Sequence, residues 1–207
     1  SASRTCTFTS DVSEEVVVGS NYITLDGNSH TIDIGGTSSN EVCGSYDTPG
    51  IFLDTKTNVI IKNFIIKNAC NGIDFRNSYS SSIIDNTLSD NFDTGIFASG
   101  DNLSISGNIV TSVVDSDYGI LFYSSGNALV ENNNVSNVIR GISSEDEGTA
   151  LIKNNIIDSA RGYGIFVYSK FNEVESNTVT NSNVGIEVVR NNHKVFNNVV
   201  SNGNIGI

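Results

Sequence analysis

The sequence predicts an all-β solenoid, a parallel β-helix of about 8–9 coils of 21–24 residues, on three observations. The dipeptide Gly-Ile recurs at Gly50, Gly72, Gly95, Gly119, Gly141, Gly164 and Gly185, and Gly206-Ile207 begins another copy. The intervals are 22, 23, 24, 22, 23, 21 and 21 residues. A fixed period of this size denotes similar coils stacked on one another rather than a globule. The second observation is an apolar-x-x-Asn-x-apolar phrase in every copy. It reads Ile60…Asn63…Ile65, Ile83…Asn86…Leu88, Ile105…Asn108…Val110, Val130…Asn133…Val135, Ile152…Asn155…Ile157, Val174…Asn177…Val179 and Val195…Asn198…Val200. The third is what lies between: corners of Asn, Asp, Ser and Gly, never a helix-length amphipathic stretch, and a single proline, Pro49, outside the repeated strands.

Each part of the phrase has a physical role. β-Branched residues suit strands buried in a parallel stack. Asn tolerates left-handed backbone angles at a corner. Identical Asn side chains at strand spacing also hydrogen-bond one above another. Successive coils are expected about 4.8 Å apart, giving a rod on the order of 40 Å long.

One domain spans residues 1–207. Residues 1–34 read as N-terminal coils, with Val16-Val17-Val18 and then Ile23-Thr24-Leu25-Asp26-Gly27-Asn28 repeating the apolar-x-x-Asn pattern. Residues 35–49 break the period and read as a protruding loop. Residues 50–207 are the regular repeats. Of three cysteines, Cys6 and Cys43 fall in the irregular first fifth, where a disulfide between them would pin the loop to the first coil. Cys70, just before a Gly-Ile, reads as an inward thiol. A bridge between molecules is the alternative.

The net charge of −12, with eleven basic residues scattered singly, excludes duplex nucleic acid as a partner. No apolar run approaches membrane-spanning length. The chain contains no Met, so it is expected to be processed, by loss of a secretory signal peptide or by excision from something longer.

The segment Asn21–Ile32, followed by repeated Gly-Ile…Asn-x-Ile coils, resembles right-handed β-helix proteins with parallel β-helix repeats, a group that includes NosD-like and carbohydrate-associated surface proteins. The resemblance covers nearly the whole chain and implies a right-handed coil and an extracellular or cell-surface location. It does not fix a function, because this scaffold carries lyases, hydrolases, epimerases, adhesins and inert envelope proteins. NosD-like copper handling does not fit a chain without Met whose two histidines, His30 and His193, stand far apart.

Ile of each Gly-Ile points inward, so the next residue faces out and alternation continues from there. One outward file is Phe52, Asp74, Phe97, Leu121, Ser143, Phe166 and Glu187; its neighbour is Asp54, Arg76, Ser99, Tyr123, Glu145, Tyr168 and Val189. In enzymes of similar fold the sugar cleft runs along this face. Asp54 and Asp74, one coil apart and one file across, form the carboxylate pair an inverting glycosidase needs, with Arg76 standing over Asp54 as a simple ion pair instead. Neither His lies on the face to act as a base, and no Asp-Asp, Gly-His-Gly or Arg-x-Lys cluster occurs. Phe97, Leu121, Tyr123, Phe166 and Tyr168 form an apolar stripe that would serve as a subunit contact, a sugar-stacking platform or the floor beneath the 35–49 loop.

No cofactor is expected. Acidic loop residues (Asp90, Asp93, Asp115, Asp117, Glu145, Asp146, Glu147) offer oxygen ligands for Ca²⁺, without a recognised calcium-loop spacing. Ile205 and Ile207, on a last coil without a polar cap, suggest end-to-end assembly. The expectation is thus a secreted, non-catalytic structural protein of a cell surface that self-associates. The alternatives are a polysaccharide lyase or hydrolase and a glycan-binding module.

Overall fold

Files of inward apolar side chains, at least one from every sheet, build the core. In the computed structural model, which describes residues 4–38, 42–43, 47–112, 117–124, 126–145, 148–168 and 171–207, every coil contributes one short strand to each of three parallel sheets. Among the described residues the sheets hold nine, eight and eight strands, so the chain makes eight turns and opens a ninth. In the first sheet Ile61, Ile83, Ile105, Val130, Ile152 and Val174 stack in register, all buried. The second sheet stacks Ile32, Ile66, Leu88, Val110, Val135, Ile157 and Val179. The third stacks the Ile of every Gly-Ile: Ile51, Ile73, Ile96, Ile120, Ile142, Ile165 and Ile186. At about 2–3 kcal/mol for each large aliphatic side chain withdrawn from water, these files are the main source of stability.

The asparagine ladder forms at the corner between the first and second sheets. Asn86, Asn108, Asn133, Asn155 and Asn177 are buried. The backbone N–H and the side-chain Nδ2 of Asn108 both donate to Asn133 Oδ1 at 3.0 Å, and Asn133 makes the same pair of bonds to Asn155 Oδ1 at 2.9 and 3.0 Å. Left-handed angles belong to the residue before each ladder Asn, at Asp85, Asn132, Asn154, Ser176 and Asn197. The two tasks assigned to one Asn are therefore divided between neighbours.

The ladder starts one coil later than the sequence pattern indicates. Ile61 and Ile66 are the inward residues of their coil, so Phe64, not Asn63, holds the ladder position and donates its N–H to Asn86 Oδ1 at 3.0 Å. Asn63 takes the left-handed corner at φ 59°. The Phe64 ring fills the space under Gly27 and meets Phe8 edge-on at 4.9 Å.

Residues 4–18 form a first coil of their own: Arg4–Thr7 joins the first sheet, Val12 bridges Ile32 in the second, and Val16–Val17 joins the third. The disulfide joins Cys43 to Cys70, with a Cα–Cα distance of 5.0 Å, and not Cys43 to Cys6. Cys6 lies on an exposed first-sheet strand and is unbonded. Cys70 sits at the corner where the 35–49 segment rejoins the stack: its N–H donates to Thr48 O at 2.9 Å, and Thr48 N–H donates to Val42 O at 2.8 Å. Val42 is buried beside Gly36, so the described part of this segment is held against the rod.

Candidate functional face

Strand register aligns the outward files of the third sheet. Phe52, Asp74, Phe97, Leu121, Ser143, Phe166 and Glu187 stand one above another, and beside them Asp54 pairs with Arg76, Ser99 with Tyr123 and Glu145 with Tyr168. A third outward file, which alternation counted from Ile does not reveal, consists of Asn71, Thr94, Tyr118, Arg140, Tyr163 and Val184. It exists because the glycine also faces inward. A Cβ on Gly95 would lie 2.4 Å from Val110 Cγ1 of the second sheet and 2.7 Å from the carbonyl of Gly119. Two consecutive inward residues return the residue before Gly to the outer face.

Arg140 organises the centre of this face. Its guanidinium carbon lies 5.1 Å from the Tyr118 ring centre, 5.6 Å from Tyr163 and 5.4 Å from Phe166, all within cation–π range. Its Nη1 donates to Tyr118 Oη at 3.1 Å and contacts Glu145 Oε1 at 3.4 Å, while Tyr123 Oη donates to Glu145 Oε2 at 3.0 Å. Arg140 and Glu145 leave the same strand on either side of Ser143, and Ser143 is fully buried although it points outward. Burial and the Glu145 charge push the Tyr123 phenol up to about 12. Burial also raises Tyr118. Phe97 meets Tyr123 at 5.8 Å, Tyr163 meets Phe166 at 5.2 Å, and Phe166 stacks on Tyr168 at 6.4 Å. Arg190 covers the Tyr168 ring at 4.4 Å. The stripe expected from sequence is thus a mixed aromatic and charged surface. Leu121 is buried in it and Tyr168 is 43% exposed.

The other end of the face is polar. Asp74 is only 1% exposed, and Arg76 grips it with Nε on Oδ1 at 2.8 Å and Nη2 on Oδ2 at 2.6 Å. Arg76 stands in register with Asp54 yet pairs with Asp74; Asp54 accepts from Asn77 Nδ2 at 3.0 Å. The hydrogen bonds that Arg76 donates to Asp74 are the main cause of the raised Arg76 pKa. Asp93 is held above the usual carboxylate range by burial first, then by the charges of Asp117, Asp47 and Asp74. Asp115, Asp146 and Glu147 lie outside the described residues. Among the described ones, no group of three or more His, Cys, Asp or Glu side chains is arranged to hold a metal ion. Ile205 and Ile207, on the last coil, are 57% and 71% exposed, and Ile205 bridges to Val184.

A family model described as a right-handed β-helix region matches residues 49–205. A search of curated proteins gives no match. Among solved structures, the A-module of the mannuronan C-5 epimerase AlgE6 of Azotobacter vinelandii is similar at 12% identity, over 93% of this chain and 83% of that one. The TM-score is 0.28, too low to support any functional argument. Among the described residues no helix is long and apolar enough to cross a membrane.

Proposed function

Because the chain belongs to the right-handed β-helix family, whose scaffold does not dictate a function, we propose its function from the face it presents: a secreted, non-catalytic recognition module that lays an extended glycan along the outer surface of the third sheet. The observation that carries this reading is the Arg140 cluster, in which one guanidinium is ringed by Tyr118, Tyr163 and Phe166 and tied through Glu145 to Tyr123. Flat aromatic bodies with polar tips suit a ligand having both C–H faces and hydroxyl groups. From the strand of Arg76 to that of Tyr168 the face spans four coil steps, about 19 Å, room for several sugar rings. The Cys43–Cys70 disulfide supports an oxidising, extracellular compartment. A binding role is favoured over hydrolysis because Asp74 is buried and bonded through both oxygens to Arg76, which leaves Asp54 without an accessible carboxylate partner.

The test is titration of the chain with a panel of neutral and acidic oligosaccharides, followed by tyrosine fluorescence, since the chain has seven Tyr and no Trp. Saturable binding that weakens in Tyr123→Ala and Arg140→Ala is the expected result. Absence of saturable binding across the panel overturns the reading. A second reading, self-association, has specific support in the 43% exposure of Tyr168 beside half-buried Phe166, on the face that also carries half-buried Phe97. It requires a sedimentation coefficient that rises with concentration and ceases to rise in Tyr168→Lys.

A further inference from the structure

The corner leading into most first-sheet strands turns through left-handed backbone angles. Residues suited to that turn occupy it at Asn58 (φ 53°), Ser80 (50°), Asn102 (54°) and Asn192 (68°). Phe171 makes the same turn at φ 58°. A bulky side chain is rarely held there, and such outliers concentrate at ligand clamps. Burial does not explain it, because Phe171 is 57% exposed. Tyr22 makes the turn too, six coils away at the opposite end of the rod.

Phe171 is one wall of a cavity of about 260 Å³ on the outer side of the first sheet. Its lining includes Ala128 and Ala150, which belong to the buried, core-facing file that also holds Leu103. Leu151 adds an aliphatic surface, and Asn127, Thr149 and Glu173 supply polar groups. Thr149 Oγ1 donates to Asn127 Oδ1 at 2.7 Å, so what Asn127 has to offer a ligand is its amide NH₂. Glu173 offers carboxylate oxygens from a strand position that Lys194 of the next coil pairs with. Pockets for larger ligands run from about 300 to 1,000 Å³, so this one has room for a single ring.

We propose that Phe171, Leu151, Asn127 and Glu173 form a single-ring sugar site on the first sheet, separate from the third-sheet face. The Phe171 ring and Leu151 take the C–H face of a pyranose, Glu173 accepts from its hydroxyls, and the Asn127 amide donates to them. The backbone angle at Phe171 is the device that holds the ring upright beside the cavity instead of letting it fold onto the sheet.

The experiment titrates the whole chain with free hexoses and, separately, with oligosaccharides carrying the same sugar at their terminus, read by ligand-observed saturation-transfer NMR. Free hexose is expected to saturate the site; response to oligosaccharide alone overturns a single-ring site. Phe171→Asn is expected to weaken binding roughly tenfold or more, as loss of an aromatic anchor does. The same variant is expected to keep or raise the melting temperature, because Asn accepts the corner that Phe strains. Glu173→Gln should weaken free-hexose binding severalfold. Two outcomes overturn the proposal: no saturable response from the unmodified chain, or a Phe171→Asn variant that binds normally. A Phe171→Asn variant that loses stability along with binding assigns Phe171 to the fold and overturns it as well. The free-hexose arm and the Phe171 and Glu173 variants test the first-sheet site alone, whereas a chain that gives no saturable response to oligosaccharide overturns the third-sheet reading, which Arg140→Ala tests separately.

Discussion

Gly72 has no room for a side chain. A Cβ there would lie 2.4 Å from Leu88 Cδ2 and 2.6 Å from the carbonyl oxygen of Gly95. A side chain can rotate away, but the carbonyl belongs to the next coil and moves only if the stack moves. Gly72→Ala is therefore expected to destabilise by at least the 1–3 kcal/mol typical of overpacking. Gly19, with nothing within 4 Å of an added Cβ, is the control, and Gly19→Ala should fall within about 0.5 kcal/mol of the parent. Urea unfolding of both checks this, and equal midpoints would refute a steric role for the glycine file. The same inward glycine explains what the sequence concealed. Phe97, Leu121, Tyr123, Phe166 and Tyr168 are legible because they follow the Ile, whereas Tyr118, Arg140 and Tyr163 precede the glycine, where strict alternation places a residue inside. Only the contact between glycine and the second sheet shows that they face out. Tyr123 brings a pH dependence of its own. Its phenol is raised from about 10 to about 12, so the folded state holds the proton more tightly than the unfolded one. That contribution is fully present below pH 10 and is lost as pH rises from 10 towards 12. Tyr123→Phe should flatten the fall of the unfolding midpoint across this window, and an unchanged slope would show that the phenol titrates normally.

The corner is the unit in which side-chain hydrogen bonds join the coils. Asn133 Oδ1 accepts from the N–H and the Nδ2 of Asn108, and Asn133 Nδ2 donates to Ile105 O at 2.9 Å and Glu131 O at 3.0 Å. Asn133→Ala strands the buried Asn108 N–H and Ile105 carbonyl, each costing about 1–3 kcal/mol, so a total loss of about 2–6 kcal/mol is expected. Asn198 is half-buried, and water can replace its bonds, so Asn198→Ala should cost less. Comparable losses at the two sites would mean that the ladder does not depend on burial. The pattern that exposed this ladder also misplaced its first rung. Asn63 and Asn86 look alike in sequence, yet Phe64 is the residue in register with Asn86, because a phenyl ring that fills the space under Gly27 substitutes for an amide. Cysteine pairing was illegible for a related reason. Proximity in sequence to an irregular segment suggested Cys6, but which corner the segment returns to is decided by backbone bonds such as Cys70 N–H to Thr48 O.

In a solenoid each coil touches only its neighbours, so stability is a profile along the rod and not one property of a common core. Ion pairs between coils do little to shape that profile. Lys62–Asp26 at 3.0 Å, Lys153–Glu131 at 3.3 Å and Lys194–Glu173 each join adjacent first-sheet strands, but all are solvent-accessible and worth about 0–1 kcal/mol apiece. Apolar burial varies far more. Ile96, Ile120, Ile142 and Ile165 are fully buried, whereas Arg4–Thr7 is exposed throughout and Lys194–Phe196 and Val199–Ser201 are exposed at both outer positions. Opening a central coil separates it from a stacked neighbour on each side; opening a coil with exposed strands separates fewer apolar contacts. Native-state hydrogen exchange on the 207-residue chain should therefore show the slowest amides around Ile96–Ile165. Protection should fall coil by coil towards Arg4–Thr7 in one direction and Lys194–Ser201 in the other. The gradient should persist after the first- and third-sheet ion pairs are screened with salt, because apolar burial sets it. One exchange free energy shared by every strand would instead require a rod that opens as a single unit, with coupling between coils strong enough to erase the burial profile.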